Sequence, residues 1–213
     1  MDIEGTTTPI AFVHDVLFPY ARARLAGFLD TYAGDPVLDG IPEPKLGSLL
    51  DWMERDEKTS ALKAIQGRIW EQGYVDGEIN GLTYSDVEPS LRRWVRAGLK
   101  MFVYSSGSVT AQKNLFRYSE AGDLTGYFQG FFDTNVGAKR DPASYTVICR
   151  GANIAPQECL FLSDVEAELD AAAQAGLLTC QIVRPDDGTK AGTRHPTAID
   201  FFDVSTKFNL PHG

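Results

Sequence analysis

Three short, nearly uninterrupted apolar runs limit this chain to few architectures: LKMFVY at 99–104, ECLFLS at 158–163 and TCQIV at 179–183, with GFFD at 130–133 as a shorter fourth. Strands apolar on both faces must be covered on both faces, the condition of a parallel sheet layered by helices. The segments between the runs supply those helices. SDVEPSLRRWVRAG at 85–98 places Val87, Leu91, Trp94 and Val95 on one face. Ser85 and Glu88 stand at capping-box spacing, and Gly98 sits where the helix should stop. Val165, Leu169, Ala172 and Ala173 form a second apolar stripe, followed by Gly176. Strand, turn, helix and strand thus repeat from about 85 to 184. The expected fold class is α/β with a doubly wound parallel sheet.

The first 85 or so residues have a different pattern. FVHDVLFPYARARLAGFLDTY reads as helix, bent or restarted at Pro19. GDPVLDGIPEPK, at 34–45, is loop. KLGSLLDWMERDEKTSALKAIQGRIWEQGY carries two further helical patterns, with Leu62, Ile65 and Ile69 on a shared face. No strand run lies between 11 and 84. The organisation read from this is an α/β core of 1–12 and 90–213, with a helical block of 13–89 inserted after the opening turn.

A length of 213 residues, 43% apolar and 23% charged, suits one sizeable soluble core. The net charge of −9 argues against a broad nucleic-acid footprint. It leaves an anionic substrate open, because a bound divalent cation inverts the local field. Cys149, Cys159 and Cys180 are odd in number and lack metal-ligand spacing, which fits a reduced, intracellular setting. No basic, apolar leader opens the chain and no run is long enough to span a membrane. The expectation is a soluble, cytoplasmic monomer with neither a nucleic-acid nor a membrane partner. His14, His195 and His212 show no metal or triad spacing and receive no role.

In open parallel sheets, ligands sit beyond the carboxyl ends of the strands, so the residues just after each run are candidates for a site. The chain opens MDIEGTTTPI, an acidic pair, Asp2 and Glu4, on a turn with Gly5 and Thr6. SSGS at 105–108 offers hydroxyls and N–H groups to an anion at a helix start, and reads equally as an ordinary cap. Lys139 stands just ahead of a helix start at Asp141 and Pro142. It either neutralises a phosphate or is a solvated surface lysine, the commoner fate of that residue. Asp164 ends a strand, with Glu168 one turn further on. A carboxylate there holds Mg²⁺, or Asp164 or Ser163 merely caps the next helix, or both roles hold at once. The joint order of these stations is far more specific than any one of them.

That order resembles the haloacid dehalogenase superfamily of phosphatases, and the helical block resembles its cap. More narrowly, DIEGTTTPIAFVHDVLFPYAR, GYVDGEINGLTYSDVEPSLRRW, VYSSGSV, AKRDPASY and FLSDVEAELDAA together resemble the enolase-phosphatases of methionine salvage, from Asp2 to about Phe202. The resemblance implies a Rossmannoid core, Mg²⁺ as cofactor and a small phosphorylated substrate, 2,3-diketo-5-methylthiopentyl 1-phosphate. This is enolised and then dephosphorylated to an acireductone. Position by position, Asp2 is implied as nucleophile and metal ligand. Glu4 is implied as a second metal-site residue, through side chain or main-chain carbonyl, and is a candidate acid/base. Ser105 and Ser106 are implied as phosphate binders, Lys139 as a substrate binder and Asp164 as the remaining metal ligand.

Family members carry a hydrophobic strand immediately before the acidic turn, whereas only Met1 precedes Asp2 here. The first core strand is therefore expected to be missing from the sequence, and the true start to lie upstream. Two other functions fit the residues: a phosphatase of the same superfamily acting on another small phosphometabolite, and a truncated remnant that binds without turnover. Phe12, Phe18, Tyr20 and Tyr74 are candidates for the methylthio end, with plain core the commoner role for such residues.

Overall fold

The computed structural model describes residues 1–57 and 59–211; Lys58, His212 and Gly213 lie outside the described residues. The chain forms two compact units, Ala11–Asn80 and Met1–Ile10 together with Gly81–Gly213.

The smaller unit is helical. Phe12–Leu17 winds as a π-helical turn and runs directly into α1 (Phe18–Thr31), with Pro19 in the first turn of α1. Proline lacks an N–H and fixes φ, so it is tolerated at a helix start and here marks the change of winding. α2 (Lys45–Glu54) and α3 (Ser60–Val75) complete the unit. Thr59 caps α3, its hydroxyl accepting from the Leu62 N–H at 3.2 Å. Leu25, Leu49, Leu62, Ile65 and Ile69 meet in one core, so the helical stripe on α3 is the buried face. Trp70 donates its indole N–H to the Leu17 carbonyl at 2.7 Å, joining α3 to the π-helical turn.

In the larger unit, α4 (Val87–Arg96) leads into β1 (Met101–Tyr104), α5 (Val109–Arg117) and β2 (Phe128–Phe132). Next come α6 (Pro142–Ala152), β3 (Leu160–Ser163), α7 (Glu166–Gln174) and β4 (Leu178–Ile182). A two-residue β5 (Thr197–Ala198) and α8 (Phe201–Lys207) end the unit. β1 pairs with β2, and β3, β4 and β5 pair in that order, all parallel. The four apolar runs are thus the four main strands. β5 is too short to register as a run.

Met1 and Asp2 join the two groups of strands. The Met1 amino group donates to the Phe102 carbonyl, and the Tyr104 N–H donates to the Met1 carbonyl, both at 2.9 Å. On the other side, the Asp2 N–H donates to the Leu162 carbonyl at 2.9 Å. The two residues therefore occupy a strand position between β1 and β3. Beside them opens a cavity of about 420 Å³, lined by Met1, Phe102, Tyr145, Cys149, Phe161 and Leu162 among others. Burial there pushes the Met1 amino group down to about 5.

Two local expectations need correction. Ser85 and Glu88 do not form a capping box: Asp86 is the N-cap of α4, and no side chain caps the helix. The Asp86 carboxylate is held by stronger partners, namely both terminal nitrogens of Arg184 at 2.9 Å and the Phe201 N–H at 2.8 Å. On α7, Ala171 is buried and Ala173 exposed, so the buried face runs through Glu168, Leu169, Ala171 and Ala172.

The Asp86–Arg184 pair is buried on both sides, and Arg184 also donates to the Thr6 carbonyl at 2.9 Å. Removing one partner of such a pair strands the other charge in the interior. Asp86→Ala is therefore expected to destabilise the protein by about 3–5 kcal/mol, read from the denaturant midpoint at unchanged slope. A loss under about 1 kcal/mol, the range of exposed pairs, would show that solvent reaches Arg184.

Candidate active site

Parallel strands bring the ends of β1, β2 and β3 to the same edge of the sheet, and the segments beyond those ends carry the candidate residues. Asp2 stands on the joining rung between β1 and β3 and is buried. The Ile3 carbonyl accepts the N–H groups of Thr6, Thr7 and Thr8, closing the acidic turn on itself. Gly5 takes φ +69° in that turn, and a β-carbon there would lie 2.6 Å from the Asp164 carboxyl. Only glycine fits, on both conformational and steric grounds.

One Asp2 oxygen, Oδ1, accepts from the Ile3 N–H at 2.8 Å and from Lys139 Nζ at 2.7 Å. The other, Oδ2, accepts a long 3.5 Å contact from the Ser163 hydroxyl. Lys139 reaches Asp2 from a loop fastened at three points. Tyr104 donates to the Gly137 carbonyl at 2.9 Å, Ser144 to Ala138 at 2.8 Å and Tyr145 to Lys139 at 2.7 Å. Asp141 caps α6 through the Ala143 N–H at 2.9 Å, as its sequence position suggests. The Lys139 side chain is thus largely withdrawn from solvent beside Asp2 rather than solvated.

The second partner of Lys139 is Glu168 at 2.6 Å, which also accepts from the Ser163 hydroxyl at 2.9 Å. Burial would lower the lysine pKa, but Asp2 and Glu168 outweigh it and the net shift is upward. Asp164 does not cap α7; Val165 holds that position, its own N–H bonded to the Ser163 hydroxyl at 3.1 Å. Burial, then the nearby Asp2, push Asp164 up to about 7. The same two causes push Glu168 up to about 7. Ser105 comes directly after Tyr104 at the end of β1, is buried, and bonds through its N–H to the Phe132 carbonyl at 3.2 Å. Ser106 comes next in the loop, and Ser108 caps α5.

A family model for haloacid dehalogenase-like hydrolases matches residues 1–176. An enolase-phosphatase E1 of Granulibacter bethesdensis is 52% identical over 99% of this chain and 96% of its own length. One from Enterobacter is 48% identical over 99% and 96%. The chain belongs to the enolase-phosphatases of the haloacid dehalogenase-like hydrolases. Among solved structures, the UTR4 protein of Saccharomyces cerevisiae superposes with a TM-score of 0.80 at 35% identity, covering 94% of this chain and 96% of that one. CbbY of Rhodobacter sphaeroides, at 16% identity and TM-score 0.62, shares the fold.

For an enolase-phosphatase, the excess of carboxylates over ammonium groups is the informative feature. Asp2, Asp164 and Glu168 face one lysine, and two of the three resist ionisation. A divalent cation would relieve that imbalance. Among the described residues no three His, Cys, Asp or Glu side chains form a ready-made metal cage. Mg²⁺ does not require one, since it retains waters and takes one or two carboxylates. Asp2, Asp164 and an oxygen of Glu4 fit that donor set, with Gly5 leaving the room a side chain would fill.

Glu168 was visible in the sequence only as a carboxylate one helical turn past Asp164; its bond to Lys139 arises from folding. Phe12 and Tyr74 are buried, and Phe18 and Tyr20 are partly buried, within the helical unit.

With no cation present, the stability gained from holding protons on Asp164 is full below its ordinary 3.8 and is lost as pH rises through about 7. Metal binding runs the opposite way, because a ligand must be deprotonated. Mg²⁺ affinity measured by calorimetry is expected to fall about ten-fold per unit below pH 7 and to level off above it. A flat profile between pH 5.5 and 8.5 would rule Asp164 out as a titrating ligand.

Proposed function

We propose that this chain is an Mg²⁺-dependent enolase-phosphatase acting on 2,3-diketo-5-methylthiopentyl 1-phosphate in methionine salvage. It releases phosphate and an acireductone, with Asp2 as the covalent nucleophile. The supporting observation is the mounting of Asp2: a buried carboxylate on a strand rung, with one oxygen held by Lys139 at 2.7 Å. Relatives about 50% identical over nearly the whole chain are named enolase-phosphatase E1.

A carboxylate nucleophile divides phosphate-ester hydrolysis into two steps through an acyl phosphate. Oδ2 is the less engaged oxygen and is the one assigned to attack phosphorus. Two anions must approach, so the Lys139 ammonium beside Asp2 lowers the repulsion where charge accumulates. Phosphoryl transfer depends chiefly on positioning, and the backbone bonds of Asp2 to β3 and of Met1 to β1 supply a rigid base. Ser105 and Ser106 are assigned to the phosphate oxygens at the end of β1. The magnesium ion, held by Asp2, Asp164 and Glu4, supplies charge neutralisation for the phosphate and the enolate oxygen when bound. Glu4, beside the nucleophile, is assigned as the base that takes the proton from carbon.

The test incubates the protein with the diketo phosphate and Mg²⁺ and monitors phosphate release and acireductone absorbance. Both signals are expected, and Asp2→Asn should reduce phosphate release by at least about a thousand-fold, the scale on which losing a covalent nucleophile is felt. Folded protein without turnover would favour the binding-remnant reading. Glu4→Gln separates the steps: normal enolisation in that variant would remove Glu4 as the base.

A further inference from the structure

The SSGS loop between β1 and α5 is held from behind by a residue so far without a role. Gln112 lies in the second turn of α5 and is 2% exposed. Its side-chain nitrogen donates to the Gly107 carbonyl at 2.7 Å and the Phe132 carbonyl at 2.9 Å, with a longer contact to the Ser105 carbonyl at 3.5 Å. The same Phe132 carbonyl accepts the Ser105 N–H at 3.2 Å. One amide thus links the loop to the end of the neighbouring strand β2.

Three carbonyls around the nitrogen fix the orientation of the amide, because its oxygen would be repelled there. The outcome is that Gln112 Oε1 is buried without a hydrogen-bond partner among the described residues. An apolar side chain of equal length would avoid that penalty and would suit a buried helical position as well. Packing alone does not account for a glutamine here.

Peptide geometry shows what the bonds accomplish. In a trans peptide, the carbonyl of one residue and the N–H of the next point in opposite directions. With the Ser105 and Gly107 carbonyls turned onto Gln112, the N–H groups of Ser106 and Ser108 point away from it. Among the described residues, neither N–H is used in a hydrogen bond within the protein. Asp133 steadies the next residue, its Oδ2 accepting the Val109 N–H at 3.3 Å. The loop therefore presents donors that a phosphate can take, at the start of a nine-residue helix.

We propose that Gln112 is a positioning residue for phosphate: it holds the Ser105–Ser108 loop with its N–H groups turned outward to receive the phosphate of the substrate. The proposal rests on the phosphatase reading of the site. Gln112 touches no reacting atom.

The test uses Gln112→Met, which keeps length and volume but donates nothing, with inorganic phosphate as probe in the presence of Mg²⁺. Phosphate affinity is measured by calorimetry and as the inhibition constant against turnover, beside the melting temperature. Expected is a phosphate affinity about ten-fold weaker and a KM raised by the same factor, with kcat changed less and melting within a few degrees of the parent. A lower melting temperature with unchanged phosphate affinity and KM would mean that Gln112 only supports the fold, and would overturn the proposal.

Should Gln112→Met fail to fold, Gln112→Glu keeps the shape and regains a donor only when protonated. Its phosphate affinity relative to the parent at the same pH should recover as pH falls from 8 to 5.5; a constant ratio overturns the proposal. If the parent turns over substrate and the variants match its phosphate affinity, only the role of Gln112 is lost. If the parent neither turns over substrate nor binds phosphate, the phosphatase reading falls with it.

Discussion

The backbone bonds of Met1 and Asp2 to β1 and β3 are the constraint on which the site depends. They link two sets of parallel strands, and they carry Asp2, the proposed nucleophile. Each strand group could shift relative to the other without that rung, and phosphoryl transfer tolerates little displacement between nucleophile and phosphorus. A cavity of about 420 Å³ opens beside that rung.

Charge sets the second constraint. Asp2 and Glu168 pair with one lysine, and Asp164 is close enough to feel the charges of both Asp2 and Lys139, so the cluster holds more carboxylates than ammonium groups. Such an arrangement is costly in isolation and is a common sign of a site awaiting positive charge. Lys139 serves two acids at once, so it is oriented by Glu168 while it acts on Asp2. Gly5 belongs to the same logic, since its lack of a side chain lets the acidic turn lie against Asp164.

The larger elements were legible because they arise from local chemistry. Uninterrupted apolar runs gave four strands, and stripes at helical spacing gave α3, α4 and α7, with one residue, Ala173, out of phase. The two expected caps failed for separate reasons. Ser85 and Glu88 have the right spacing for a capping box, but Asp86 is drawn to Arg184, 98 residues away, and a buried ion pair outweighs a local cap. Asp164 likewise has the form of a cap, and the Ser163 hydroxyl took the local N–H instead.

By itself, the sequence determined the class of fold, the helical insertion and the order of the acidic turn, hydroxyl loop, lysine and final aspartate. Each of these depends on residues close together in the chain. Tertiary structure decided which of them act as one. It placed Lys139 between Asp2 and Glu168, raised Asp164 and Glu168 toward neutrality, and turned the SSGS loop outward on Gln112. Those outcomes depend on distance and on the exclusion of water between groups far apart in sequence, and neither exists before the strands pair.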